Sequence, residues 1–331
     1  MTATTTGFAA AAPVTERTRV GWGDLAWLTW RQHRWAITGL VVVVLGVAAF
    51  ALGMAWHVDA TGATHELFGR VRYVDAAQML MLVPMTFGLA IAVFWAAPLL
   101  SREYEQRTHL VAWSQDITPT RWLAGKVVLL GVPAVALSVG LGLASIKLMN
   151  SLNAVMTEYR PFPAFNSPAF EVVPPVQAAY AAFGFALGLA LSAVTRRTVL
   201  SMGLALTSFI VVRVVVTWFW RPYFQTPLRG IEKYDPYESQ WDGPGAGAWT
   251  VDSGFADAAG NEMPFPEACS NLRSGDDYAK CMTDHQVNFF MDYHPVDRLL
   301  PFQLIESAIF AVLAAGLLAV AFAWVRRARR V

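Results

Sequence analysis

The chain has 331 residues, 55% of them hydrophobic and 15% charged, with a mean hydropathy of +0.41. A water-soluble domain carries about 25% charged residues. The deficit here sits in long uncharged windows, the mark of membrane spans rather than of one or two soluble domains, and a net charge of +1 gives no global attraction to nucleic acid.

Residues 1–20 are rich in Ala and Thr and read as a disordered tail. They do not read as a signal peptide, because the apolar stretch Phe8–Ala12 is short and Arg17 and Arg19 follow it rather than precede it. Trp22, Trp27, Trp30 and Trp35, with Arg31 and Arg34, then suggest an entry helix over 21–34 lying in the membrane interface.

Six spans follow: Trp35–Trp56, Ala76–Leu100, Pro119–Met149, Pro175–Thr195, Thr198–Trp220 and Pro301–Val325. In hydrocarbon the backbone must satisfy its own hydrogen bonds, and runs of about 20 residues do so as helices. The third run is longer, so it tilts or emerges from the bilayer. Gly184 and Gly188 in the fourth form a GxxxG pair, read as a close helix contact within the chain.

Lys and Arg set the orientation. With six spans, Arg17, Arg19, Arg31, Arg34, Arg102, Arg107, Arg121, Lys126, Arg196, Arg197, Arg326, Arg327, Arg329 and Arg330 all fall on one side. The segment 221–301 has 6 bases against 13 acids. The expectation is an all-α membrane protein with both termini cytoplasmic. A transmembrane domain fills 21–220, an external loop 221–300, and span 6 with its basic tail 301–331.

The stretch "SREYEQRTHLVAW", 101–113, interrupts this greasy sequence with charge. At 100° per residue, Leu100, Tyr104, Thr108 and Val111 share one face, and Arg102, Glu105, Gln106 and His109 the other. That is an amphipathic helix prolonging span 2, one side on the bundle and one side free. Trp113 falls among the polar residues, as an aromatic does at a protein contact. Thr118 is placed as an N-cap and Pro119 as the first helical residue after it. From the residues alone, a solvated loop that only sets topology remains an equal alternative.

The run "EYEQRTHLVAWSQDITPTRWLAGK" resembles the segment after the second span in permeases of the ABC-2 class of ABC transporters, matching at Glu103, Glu105, Thr108, Pro119, Arg121 and Lys126. Arg107 stands where the pattern has Gly. "LTWRQHRW" (28–35), "RVVVTWFWRPYFQTP" (213–227) and "YHPVDRLLPFQLIE" (293–306) resemble actinobacterial members.

The resemblance implies a type V exporter-like bundle whose segment 101–117 is a coupling helix seated on a cytoplasmic ATPase through Arg102, Glu103, Glu105, Gln106, His109 and Trp113. No P-loop pattern occurs in this chain. ATP and Mg are therefore expected on a separate ATPase subunit, and no cofactor in this one. The function expected is that of a non-enzymatic permease subunit of an exporter in the plasma membrane. It would work with a second permease copy, among membrane lipid, on a hydrophobic or amphipathic compound such as a lipid, peptide or antibiotic. The alternative is a membrane sensor or scaffold that binds such a partner without transporting.

Arg213, inside span 5, and Glu306, near the start of span 6, have similar depth and opposite sign. They are expected to pair, as a structural bridge or as a polar element of an outer gate. Cys269 and Cys281 are expected to form a disulfide bracing the external segment, with short helices beside it. The six histidines complete no metal site, and no catalytic grouping lies in the spans.

Overall fold

The structure is a computed structural model that describes residues 21–62, 72–108, 117–156, 160–166, 168–235, 244–245, 247–272 and 275–328. Six helices among these residues are long and apolar enough to cross a membrane: α1 (Trp22–Thr61), α2 (Tyr73–Glu105), α3 (Pro119–Val155), α4 (Pro174–Thr195), α5 (Thr198–Tyr223) and α7 (Val296–Arg327). A short helix, α6 (Asp276–Asp284), lies between α5 and α7.

Each expected span falls inside one of these helices, but the first differs in form. The entry segment and span 1 are one helix of 40 residues, about 60 Å by helical rise. No Pro lies within it and no Gly between Asp24 and Thr38, so nothing makes the break that a separate interfacial helix over 21–34 requires.

Three spans contain a π-helical turn: Ile91–Ala96 in α2, Val127–Gly131 in α3 and Val215–Trp220 in α5. Each ends two residues before a proline, at Pro98, Pro133 and Pro222 respectively. Proline has no N–H, and its ring collides with the carbonyl four residues back. Those carbonyls belong to Phe94, Leu129 and Trp218, all inside the widened turns. The sequence thus places each π turn where an ordinary α turn would clash. Pro84 in α2 lacks such a turn; its own carbonyl accepts from Gln177 Nε2 at 3.1 Å instead.

Helix α4 is the most enclosed span and packs against α2, α3, α5 and α7. Its glycines make this possible. A Cβ on Gly184 would stand 2.2 Å from the Gly88 carbonyl oxygen, and one on Gly188 2.4 Å from that of Ala92. The GxxxG pair is therefore the seam between α4 and α2. Lower on the same seam, Ser192 Oγ accepts from the Leu100 and Ser101 N–H groups at 3.2 and 2.7 Å. Two residues, Arg196 and Arg197, suffice to turn α4 into α5, with Arg196 at φ 55° closing the helix.

The segment between α5 and α7 corrects the all-α expectation. It holds a four-stranded antiparallel sheet of β1 (Leu228–Lys233), β2 (Trp249–Ala256), β3 (Glu262–Met263) and β4 (Asn288–His294), in the order β1-β4-β2-β3. The two central strands carry Trp249, Val251 and Phe255 on β2 and Phe289, Phe290 and Tyr293 on β4, types that favour a pleated, half-buried surface, although the Gly- and Pro-rich links between strands hide the pattern. Phe255, Phe265 and Phe289 pack together next to the disulfide, with ring centroids 4.9 and 5.6 Å from Phe255. The disulfide itself forms as expected, joining Cys269 to Cys281 of α6. Of the stretch 272–293, expected to fold as short helices beside it, Asp276–Asp284 is helical (α6), whereas Asn288 onward is strand β4.

This sheet domain is tied to the bundle where the chain leaves and re-enters it. Trp249 and the buried His294 pack on Phe302 of α7, with His294 4.7 Å from Phe302 between ring centroids. His294 Nε2 donates to the Pro222 carbonyl at 2.9 Å. Arg298 Nη1 donates to the Thr226 carbonyl at 2.7 Å and to His294 Nδ1 at 3.1 Å.

Candidate functional site

Two polar regions stand out in an apolar bundle, one at each end. At the arginine-rich end α2 stops at Glu105, and Arg107 takes φ 56°. The expected helix through 101–117 is thus broken at its seventh residue. A left-handed residue closes a helix, and Gly fills that position without strain; Arg107, standing where the resembled pattern has Gly, keeps the turn.

The turn separates side chains by role. Glu103, although expected on a partner-binding helix, points inward and is buried. Its Oε1 receives Lys126 Nζ at 2.5 Å and Gln32 Nε2 at 3.2 Å, which joins α1, α2 and α3. Glu105 accepts from the Thr198 N–H at 2.9 Å and the Thr198 hydroxyl at 2.8 Å, satisfying the first donors of α5. Arg102, Gln106 and Arg107 remain exposed. His109 and Trp113 lie outside the described residues. Thr118 caps α3 as expected, its hydroxyl accepting from the Arg121 N–H at 3.3 Å, with Pro119 following.

Aromatic faces hold the cations of this end. Arg31 lies 5.2 Å from the Trp27 ring, Lys126 5.2 Å from Trp122 and Arg196 5.3 Å from Tyr104. The early tryptophans thus neighbour the basic residues that the topology argument used.

At the opposite end the expected Arg213–Glu306 bridge is replaced by a larger cluster. Arg213 Nη2 donates to Glu171 Oε2 at 2.7 Å. Glu306 is held by Arg221, through Nε at 2.7 Å and Nη2 at 2.8 Å. Arg221 Nη2 also reaches Glu171 at 3.5 Å, and the Tyr180 hydroxyl donates to Glu306. The guanidinium of Arg213 covers the Tyr180 ring at 3.8 Å, and that of Arg221 covers Phe170 at 4.1 Å.

Two arginines and two glutamates balance in charge. They join α4, α5, α7 and the 160–173 segment at one point. Buried charge is tolerated only with such pairing.

Sequence reasoning missed Glu171, Tyr180 and Arg221. Glu171 lies in a stretch between spans that carries no periodic signal, and Arg221 falls at the start of the expected external loop. Their signal was an acid framed by phenylalanine and proline, "PAFEVVPP", and an arginine directly after "WFW". Asn153 pins the start of the 160–173 segment at Phe162, its amide donating to the Phe162 carbonyl at 2.9 Å and accepting from the Phe162 N–H at 3.1 Å.

Six candidate spanning helices around a polar anchor make this a multi-pass membrane protein. Residues 57–221 match the family model described as ABC-2 membrane transporter related, a stretch from the end of α1 to Arg221. The match supports an ABC-2 type permease, the membrane subunit of an ABC transporter, which is generally not catalytic itself and typically pairs with an ABC ATPase. The sheet domain and α7 lie outside the matched residues. No curated protein and no solved structure matches the chain.

Proposed function

We propose that this chain is the permease subunit of an ATP-driven exporter and that its arginine-rich end docks a separate ATPase that binds ATP and Mg. One observation carries the reading: within the residues that match the family, the end of α2 is anchored to the bundle by buried Glu103 and tied to the start of α5 by Glu105, while Arg102, Gln106 and Arg107 stay exposed beside it. A lever needs both parts, a rigid attachment to several spans and a free surface to be pushed. Glu103 and Glu105 would then transmit force rather than touch the partner.

On this reading the arginine-rich end and both termini are cytoplasmic, the sheet domain is external, and the membrane is the plasma membrane. A second permease copy completes the pathway for a hydrophobic or amphipathic compound, among membrane lipid and without nucleic acid.

The test is copurification with a candidate ABC ATPase chain from the same genome, followed by ligand-stimulated ATP hydrolysis in proteoliposomes. Arg107→Asn keeps a residue that tolerates the left-handed turn and removes its charge. Together with Gln106→Arg it is expected to weaken ATPase copurification at unchanged expression. Copurification and stimulated hydrolysis equal to wild type would place the contact elsewhere. A complex that hydrolyses ATP yet moves none of a panel of amphiphiles would favour a sensor or scaffold.

A further inference from the structure

Two adjoining hollows lie between α1 and α2 at the arginine-rich end. One, of about 270 Å³, is polar; its wall includes Gln32, His33, Trp95, Arg102 and Glu103. The other, of about 260 Å³, is an apolar groove along Gly39, Leu40, Val43, Phe87 and Ile91. Ala36, Phe94 and Trp95 line both, so the polar hollow continues into the greasy one.

The polar hollow is basic. Glu103 is neutralised by Lys126 at 2.5 Å, which leaves Arg102, with no ion pair among the described residues, to set the sign. Its wall also contains two enclosed polar atoms, His33 Nε2 and Trp95 Nε1, without a hydrogen-bond partner among the described residues. Enclosed polar groups are nearly always bonded, and one left single calls for an explanation. Trp95 belongs to both hollows, so its indole marks the border between the polar and apolar parts.

We propose that this joint hollow binds an anionic phospholipid from the leaflet at the arginine-rich end. Its phosphate lies beside Arg102 and His33, and one acyl chain runs along the groove past Gly39 and Phe87. An anionic headgroup fits the uncompensated charge and supplies acceptors, while a single chain fits an apolar groove that opens sideways from helices whose outer faces are apolar. The site is built within one chain and does not depend on transport.

The experiment is native mass spectrometry of the full-length chain in detergent, titrated separately with dioleoyl phosphatidylglycerol and dioleoyl phosphatidylcholine. Wild type is expected to retain one phosphatidylglycerol more tightly than phosphatidylcholine. Arg102→Ala should lower the phosphatidylglycerol affinity about tenfold, the loss of one charge-assisted contact, and the phosphatidylcholine affinity less, because choline offsets the charge of its phosphate. Gly39→Leu should lower both, since a Cβ on Gly39 meets nothing within 4 Å and the larger side chain can enter the groove without disturbing the fold. Equal retention of the two lipids by wild type overturns the proposal, as does wild-type phosphatidylglycerol affinity in both variants.

Discussion

Arg221 grips Glu306 with two hydrogen bonds, at 2.7 and 2.8 Å, across the gap between the end of α5 and the start of α7. The sequence had offered Arg213 as the partner. Arg221 takes that place because it follows the π turn at the very end of α5, while Arg213 faces the carboxylate of Glu171. The pair sits where the sheet domain meets the bundle, so its strength decides how firmly the two are joined.

Glu306→Leu is expected to strand the Arg221 guanidinium and destabilise the protein by about 3–5 kcal/mol, the range for breaking a buried pair. Arg221→Met combined with Glu306→Leu should cost less than the sum of the two single changes, since no lone charge remains. Thermal unfolding of the four proteins in one detergent gives the cycle. Additive changes would mean that the two residues contribute independently.

The α4–α2 seam predicts a sharp contrast among glycines. Gly184→Ala places a methyl against a backbone oxygen that cannot swing away, at a cost of about 1–3 kcal/mol. Gly203→Ala, on a helix face where nothing lies within 4 Å, should be neutral or slightly stabilising. Melting temperatures of the two variants, measured side by side, check this.

His294 makes the sheet–bundle junction sensitive to pH. Burial, together with the charge of Arg298, holds the ring below its ordinary value of 6.5. The unfolded chain therefore binds more protons, and stability rises with pH in that window. The contribution is complete above about 6.5 and is lost as pH falls from there toward the lower value of the folded protein. Melting temperature should drop between pH 7.5 and pH 5, and His294→Gln should flatten the drop. Asp292, held below 3.8 by hydrogen bonds from Arg229, acts only at lower pH and does not confuse the readout.

Reducing the Cys269–Cys281 disulfide, or replacing both residues with Ser, should loosen the sheet domain by about 3 kcal/mol, the entropy of closing a loop of that size. Limited proteolysis within 262–285 should accelerate while the spans remain protected. Intact-mass analysis after denaturing alkylation without reductant should show no adduct. After reduction in sealed vesicles, labelling of the two thiols by an impermeant reagent reports the side on which the sheet domain lies.

The spans were legible because a hydrocarbon layer demands long apolar runs, and such runs leave a plain trace in the sequence. The capping of α3 by Thr118 and the tight glycine seam were legible for the same reason: each is a local rule obeyed locally. Partner choice was not. A helical wheel drawn through 100–113 assumes one continuous helix, and the left-handed Arg107 breaks it. The wheel also says nothing about Lys126 or Thr198, which claim Glu103 and Glu105 from other helices. Glu171 was invisible as a partner because its segment belongs to no span, and the sheet was hidden because its strands are short and the links between them carry the Gly and Pro.

The π turn at Ile91–Ala96 fixes a phase as well as relieving a clash. It holds one residue more than the α turn it replaces, so every side chain beyond it is rotated by about 100° relative to an unbroken helix. Glu103 meets Lys126, and Glu105 meets Thr198, only in that rotated setting. Residue number between Ile91 and Ala96 is therefore under tighter constraint than residue type: many apolar substitutions would preserve the alignment, whereas a single deletion would turn both carboxylates away from their partners at once.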